Sequence, residues 1–179
     1  MNAGLAKLPL IVDLDETLIG MDLFRSGMAR LVMTRPRLIP KLLWKLLHGR
    51  AAAKAWLAQE FGVDAEKLPY RAALLAYLFA QKNAGRKIYL ISASDQALVG
   101  KVAEHLALFD GFFGSDGHTN LKGSEKAKLI KEKIGKQFVY AGDSYADLFV
   151  WKEAAGAILC GKARAFKNAM GARVEAMFV

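Results

Sequence analysis

Five short apolar runs punctuate the chain, and stretches of helical periodicity separate them. Leu8-Pro9-Leu10-Ile11-Val12 ends in Asp13, and an unbroken apolar run closing on an acid reads as a strand buried on both faces of a parallel sheet. Lys87-Ile88-Tyr89-Leu90-Ile91-Ser92, Gln137-Phe138-Val139-Tyr140-Ala141-Gly142 and Gly156-Ala157-Ile158-Leu159-Cys160 repeat the pattern, and Phe112-Phe113-Gly114 is a shorter, weaker example. Between them, Tyr70 to Ala84, Asp95 to Leu106, Ser124 to Ile134 and Tyr145 to Ala155 carry helical spacing. Asp95 and Ser124 stand where N-caps belong, and Gly85 and Gly135 where helices should stop. Strands alternating with helices of this length predict an α/β protein with a doubly wound parallel sheet flanked by helices.

One region breaks the alternation. From about Gly20 to Pro69 there is no convincing strand, and Leu38, Leu42, Leu43, Leu46 and Leu47 with Trp44 fall at helical spacing around basic positions. This predicts a helical insertion after the first strand, residues 20–69, within a core made of 1–19 and 70–179. No internal repeat, low-complexity tract or flexible linker interrupts the 179 residues, a length that suits one domain with a modest insertion.

Composition narrows the setting. Hydrophobic residues make up 54% and charged residues 24%, enough to bury a core and too apolar for disorder. The longest stretch free of charged residues, Ala72 to Gln81, is about half of what a membrane span requires. The apolar run before Asp13 is too short for a signal peptide. The single cysteine, Cys160, cannot form an internal disulfide, ends an apolar run and reads as core, which fits a reducing cytoplasmic location. The net charge of +9 is concentrated: between Leu23 and Gln59 there is no acid, only Arg25, Arg30, Arg35, Arg37, Lys41, Lys45, Arg50 and Lys54, and the rest of the chain is close to neutral.

The polar residues with chemistry to offer fall just after predicted strands. Asp13-Leu14-Asp15-Glu16-Thr17 leaves the first, and Gly142-Asp143-Ser144-Tyr145-Ala146-Asp147 leaves the fourth. Asp-x-Asp alone often does no more than cap backbone amides. In a doubly wound sheet, however, both acid sets can converge in the crevice at the carboxyl edge, and that much negative charge calls for a divalent cation. All-oxygen ligation with an incomplete protein shell suits Mg²⁺. Ser92, in Ile91-Ser92-Ala93-Ser94, offers a hydroxyl and free amides at a helix start for a phosphate, or is only a cap. Lys126 could neutralise phosphoryl oxygens, or be a solvated helix lysine.

The joint order of these elements resembles the haloacid dehalogenase (HAD) superfamily, mostly phosphatases, over Leu10 to Cys160. The resemblance implies a Rossmann-like core, with residues 20–69 as a small helical cap. More narrowly, Leu90-Ile91-Ser92-Ala93-Ser94-Asp95, Ser115 to Gly123 and Tyr140-Ala141-Gly142-Asp143-Ser144 resemble the HAD-like domain found ahead of UbiA-type prenyltransferases. It implies Asp13 as the nucleophile and Asp15 as general acid and base. Mg²⁺ would sit on Asp13, Asp15 through its backbone carbonyl, and Asp143, with Asp147 supporting or joining, while Ser92 and Lys126 bind phosphate. A second aspartate at 15 argues against dehalogenation. Glu16 departs from a common glycine, and Ser92 from a threonine. Asp22, nine residues after Asp13, is a candidate specificity residue or a helix N-cap, and His118 a candidate for lining the site.

The implied activity is a Mg²⁺-dependent phosphatase acting through an aspartyl-phosphate on a small or lipid-linked phosphate. The alternatives are a phosphotransferase and a non-catalytic, phosphate-binding accessory domain of a membrane prenyltransferase system. The basic insertion could be simply solvated, could line the pocket for an anionic substrate, or could lie on an anionic membrane at the inner face as an amphipathic helix. No nucleic-acid recognition motif accompanies the charge.

Overall fold

The computed structural model describes residues 4–178; residues 1–3 and 179, assigned above to the core, lie outside the described residues. One sheet organises the protein. Its strands are β1 (Leu10–Val12), β2 (Ile88–Asp95), β3 (Gly111–Ser115), β4 (Val139–Gly142), β5 (Gly156–Cys160) and β6 (Val174–Phe178). They lie in the order β3-β2-β1-β4-β5-β6, every neighbouring pair parallel. This is the doubly wound α/β sheet expected from the apolar runs.

Alternation along each strand sorts side chains to two faces. Leu10, Val12, Val139 and Ala141 join one core cluster, and Ile11, Phe138 and Tyr140 join the other. Helices α4 (Ala72–Asn83) and α5 (Gln96–Leu106) supply Leu74, Leu78, Val99 and Val102 to the first. Helices α6 (Ser124–Lys133) and α7 (Leu148–Glu153) supply Ala127, Ile130, Val150 and Trp151 to the second. Because helices cover both faces, the strands read as continuous apolar runs.

Between β1 and β2 the chain folds as α1 (Leu23–Thr34), α2 (Ile39–Leu47) and α3 (Arg50–Phe61). They close over a separate small core of Leu31, Leu42, Ala53, Trp56 and Leu57. The sequence pattern marks only the middle helix, because the apolar positions of α1 and α3 are interspersed with bases, a glycine and alanines instead of forming one stripe.

Local chemistry explains most ends. Asp95 caps α5 by accepting from Ala97 N at 3.0 Å, while Gly85 and Gly135, both at positive φ, follow the ends of α4 and α6. Ser124 is not a cap: Gly123 occupies that position and Ser124 is the first residue of α6. The helix expected from Tyr145 is a 3₁₀ turn at Tyr145–Asp147, where the Ser144–Asp147 capping box tightens the chain before α7.

The unexpected element is β6, whose intermediate exposure leaves only a weak apolar signal. A buried ion pair anchors it. Arg86 Nη1 lies 2.5 Å from Glu175 Oε1, with the two side chains 1% and 0% exposed. The same guanidinium donates to the carbonyls of Leu8 at 2.7 Å and Leu5 at 2.9 Å. Glu175→Ala should therefore lower the stability of the fold by about 3–5 kcal/mol, because it strands a buried guanidinium. Urea denaturation followed by circular dichroism would read this, and a loss within about 0.5 kcal/mol would refute it.

Candidate functional site

The sheet reverses its winding between β1 and β4. Chain connections run from β1 outward through β2 to β3 on one side, and from β4 through β5 to β6 on the other. The carboxyl ends of two adjacent strands at such a switch point face an open crevice. Asp13 and Asp143 are the first residues after those two strands.

After β1 the chain makes a tight, irregular turn over Leu14–Leu18, with Leu18 N donating to Asp13 O at 3.3 Å and Ile19 N to Leu14 O at 3.0 Å. Asp15 is extended within it, and Glu16 takes φ 56°, ψ −1°. That left-handed conformation favours glycine, which is why the resembling family's common glycine belongs there, and Glu16 bears a strain of about 1 kcal/mol. Arg71 braces the turn by donating to Glu16 O at 3.1 Å.

The centre of the crevice is a buried polar chain. Lys126 Nζ lies 2.6 Å from Asp13 Oδ1 and donates to Tyr140 Oη at 2.9 Å; Tyr140 in turn donates to Asp147 Oδ1 at 2.6 Å. Asp147 Oδ2 accepts from the Asp143 and Ser144 amides at 3.1 and 3.0 Å and from Ser144 Oγ at 3.0 Å. With its lone pairs so committed, Asp147 chiefly shapes the loop that presents Asp143. Gly142 makes this possible: a Cβ there would stand 2.7 Å from Tyr140 Cε1 and 2.8 Å from Asp147 Cγ.

Asp15 faces the other way. Its Oδ2 accepts from Ser94 Oγ at 2.5 Å and Ser92 Oγ at 3.2 Å, and its Oδ1 from Leu23 N at 2.8 Å. Asp22 caps the same helix, α1, by accepting from Arg25 N at 2.9 Å, so two acids satisfy free amides at its start. Asp22 is both an N-cap and part of the wall of an acidic cavity of about 240 Å³, lined also by Asp13, Asp15, Ser92, Lys126, Asp143 and Asp147.

His118 is not brought there. It is exposed on the loop after β3, held through its backbone N to Asp116 at 2.9 Å. Three residues at the site carry no clear mark in the sequence. Tyr140 reads as one more apolar strand residue, although a buried hydroxyl always needs partners. Ser94 reads as part of a helix start. Lys54, on α3, reaches the cavity and donates to Ala93 O at 2.8 Å, and its spacing does not set it apart from the other bases of the insertion.

The electrostatics are those of an anion cage around a cation. Burial pushes the Asp13 carboxyl up to about 6 even against the pull of Lys126, and pushes Asp143 up to about 7, with Asp13 and Asp147 adding repulsion. Burial alone would lower Lys126, but Asp13 and then Asp147 hold it above its ordinary value, so it stays an ammonium. Burial, then Asp147, raises the Tyr140 hydroxyl well above its usual range, so it stays a neutral donor. Cys160 is likewise pushed up to about 12 by burial and is inert core. Carboxylate oxygens of Asp13, Asp143 and Asp147 lie within 4.8 Å of one another, with all three residues buried. A hard divalent cation on Asp13 and Asp143, with Asp147 supporting the loop behind them, fits this cluster and would relieve its crowding.

Gly142→Ala should displace Asp147 and loosen the Asp143 loop, costing about 1–3 kcal/mol by overpacking. Chemical denaturation of the variant against the parent tests it; an unchanged midpoint would show that the close approach is dispensable.

No protein-family model matches the chain. It is 38% identical over 162 residues to an uncharacterized protein, y4nM, of Sinorhizobium fredii (strain NBRC 101917 / NGR234), covering 90% of this chain. The chain spans 31% of that relative's length. Among solved structures it is similar to a Bordetella pertussis Tohama I protein of unknown function, with TM-score 0.66, 15% identity, and 93% and 96% of the two chains covered. It is similar to apo phosphoserine phosphatase with TM-score 0.61, 17% identity, and 96% and 93% covered. It is also similar to a HAD-family hydrolase of Salmonella enterica serovar Typhi, with TM-score 0.60, 17% identity, and 85% and 63% covered. The sheet order, its flanking helices and these likenesses show an α/β fold that this chain shares with phosphoserine phosphatase and with the HAD-family hydrolase.

Proposed function

We propose that the protein is a Mg²⁺-dependent phosphomonoesterase working through an aspartyl-phosphate. The observation that carries this reading is the pairing of Asp13 with buried Lys126 at 2.6 Å, beside Asp15 at the mouth of a cavity walled by further aspartates. A structural ion pair needs no second acid two residues on; a phosphoryl-transfer site does.

In this reading an Asp13 carboxylate oxygen attacks phosphorus, the bond from phosphorus to the substrate's alcohol oxygen breaks, and Asp15 delivers a proton to that oxygen. Water then attacks the phosphorus of the aspartyl-phosphate, Asp15 takes its proton, and inorganic phosphate leaves with Asp13 restored. Lys126 neutralises Asp13 and the phosphoryl oxygens, while Tyr140 and Asp147 hold Lys126 in place. Mg²⁺, held by Asp13, the Asp15 backbone carbonyl and Asp143, supplies further neutralisation of the phosphoryl charge when bound. The Ser92 hydroxyl, 3.2 Å from Asp15, stands ready to exchange that partner for a phosphate oxygen.

Hydrolysis of p-nitrophenyl phosphate should require Mg²⁺, and Asp13→Asn should lower it by about 10³-fold or more. Turnover that survives Asp13→Asn would refute the mechanism. Stability gives a second readout. The unfolded chain ionises its carboxyls near 3.8, whereas folded Asp13 and Asp143 keep protons to about 6 and about 7. The metal-free fold therefore loses stability as pH climbs through that window. Mg²⁺ should raise the melting temperature more at neutral pH than in mild acid, where protons compete for the same oxygens. An equal shift at both would count against binding by these carboxylates.

The insertion adds a partner. Leu43, Trp44 and Leu47 on α2 point outward, 57%, 54% and 84% exposed, while Ile39, Leu42 and Leu46 face the small core. Lys45 lies over the ring of Trp44, 5.1 Å from its centre, and Lys41 over that of Trp56 at 5.4 Å, and no acid stands between Leu23 and Gln59. Exposed apolar side chains on a segment rich in bases and free of acid suit an anionic membrane surface, and this combination supports peripheral attachment of the protein there. The protein should co-sediment with phosphatidylcholine vesicles containing phosphatidylglycerol, and not with phosphatidylcholine alone. Leu47→Asp should abolish the association without loss of helical signal. Association that is indifferent to lipid charge and to this substitution would refute the surface.

A further inference from the structure

We infer that the site takes a phosphomonoester whose alcohol is an apolar chain, seated in a second cavity between the helical insertion and the sheet; the inference rests on the phosphatase reading above. That cavity encloses about 290 Å³, near the lower end of small-molecule sites. Its walls are Leu23 and Phe24 from α1, Leu57 and Phe61 from α3, and Val63 and Leu68 from the return to the core. Of its charged members, three stand exposed: Lys67 pairs with Asp64 at 2.7 Å, and the Arg30 guanidinium lies 5.1 Å from the centre of the Phe61 ring; Lys54 and Asp95 are half-buried, Asp95 as the N-cap of α5.

Two residues join this cavity to the acidic one. Ser94 lines the apolar cavity, and its hydroxyl donates to Asp15 at 2.5 Å. Lys54 borders both, its ammonium fixed on Ala93 O at 2.8 Å. With the phosphoryl group on Asp13, the oxygen that receives the Asp15 proton sits at this junction. Whatever that oxygen carries continues past Ser94 into the apolar walls. Beyond Ser94 and Lys54, a serine or glycerol moiety would trade water chiefly for leucine, phenylalanine and valine side chains, since Asp64 and Lys67 pair with each other, Asp95 caps α5 and Arg30 lies over Phe61. A hydrocarbon chain would gain at every carbon. Lys54 suits the border: burial lowers its proton affinity, and Asp15, Asp22 and Asp13 oppose that shift, so it can face the anionic end of a ligand whose other end is greasy.

Each buried methylene should raise kcat/KM about fourfold. The test follows kcat/KM through ethyl, butyl and octyl phosphate, kept monomeric, with O-phosphoserine as the polar comparator. The inference expects a rise of at least about 10²-fold from ethyl to octyl, with phosphoserine near ethyl phosphate. Gly27→Leu provides a variant that fills the cavity: a Cβ on Gly27 would meet nothing closer than Leu57 Cβ at 3.9 Å, and leucine favours the helix. In it the octyl-to-ethyl ratio should collapse toward one.

A flat series in the parent, a preference for phosphoserine, or an undiminished ratio in Gly27→Leu would overturn the inference and leave the phosphatase reading standing. Isothermal titration of the Asp13→Asn variant with the same alkyl phosphates separates the two readings. If the parent hydrolyses none of them, yet Asp13→Asn binds octyl more tightly than ethyl phosphate and adding Gly27→Leu erases the difference, the cavity assignment holds and catalysis falls. Equal binding of both ligands would overturn the assignment itself.

Discussion

A buried ammonium organises the centre of this protein. Lys126 is 3% exposed and stands in the first turn of α6, where the helix dipole disfavours a cation. Neither the dipole nor burial favours a lysine there. It persists because Asp13 lies 2.6 Å away and Tyr140 accepts a second hydrogen bond. Those two partners come from adjacent strands at the switch point, so the pair records how β1, β4 and α6 dock. The chain then passes through Tyr140 to Asp147, which holds the Asp143 loop against the same centre. Removing any one member would strand a buried charge or polar group, which is costly in a medium that cannot solvate it.

Around that centre the sheet and the insertion divide the chemistry. The sheet supplies acids that crowd one another, and the crowding is visible in Asp13 and Asp143, both pushed upward chiefly by burial. The insertion is attached through the same residues. Asp15 accepts from the first amide of α1, and Lys54 of α3 reaches back to the end of β2. A change in the seating of the insertion is therefore felt at Asp15 directly, without any long relay.

The net charge of +9 takes on a geometry in this arrangement. One base of the insertion, Lys54, turns inward to the junction of two cavities, while Lys45 lies over Trp44 on the outward apolar face of α2. The excess is thus no uniform halo. Part of it meets the site and part marks an exposed surface.

The sequence by itself determined the α/β class, the strands β1, β2, β4 and β5, the cap of α5, the stops of α4 and α6, and the aspartates at the strand ends. These are readable because each rests on local rules: apolar runs for strands buried on both faces, period 3.6 for helices, glycine where φ turns positive. Only the tertiary structure decided what those rules do not contain. The strand β6 owes its place to Arg86 reaching Glu175 across 89 positions in sequence, and no local pattern announces such a pair. Tyr140 and Lys54 became site residues because strand alternation and the seating of α3 aimed them at the acids, whereas His118, close to the lysine in sequence, was left on an exposed loop. The separation between an acidic cavity and an apolar one beside it exists only once distant segments pack, since a cavity is a property of surfaces facing each other and not of any stretch of chain.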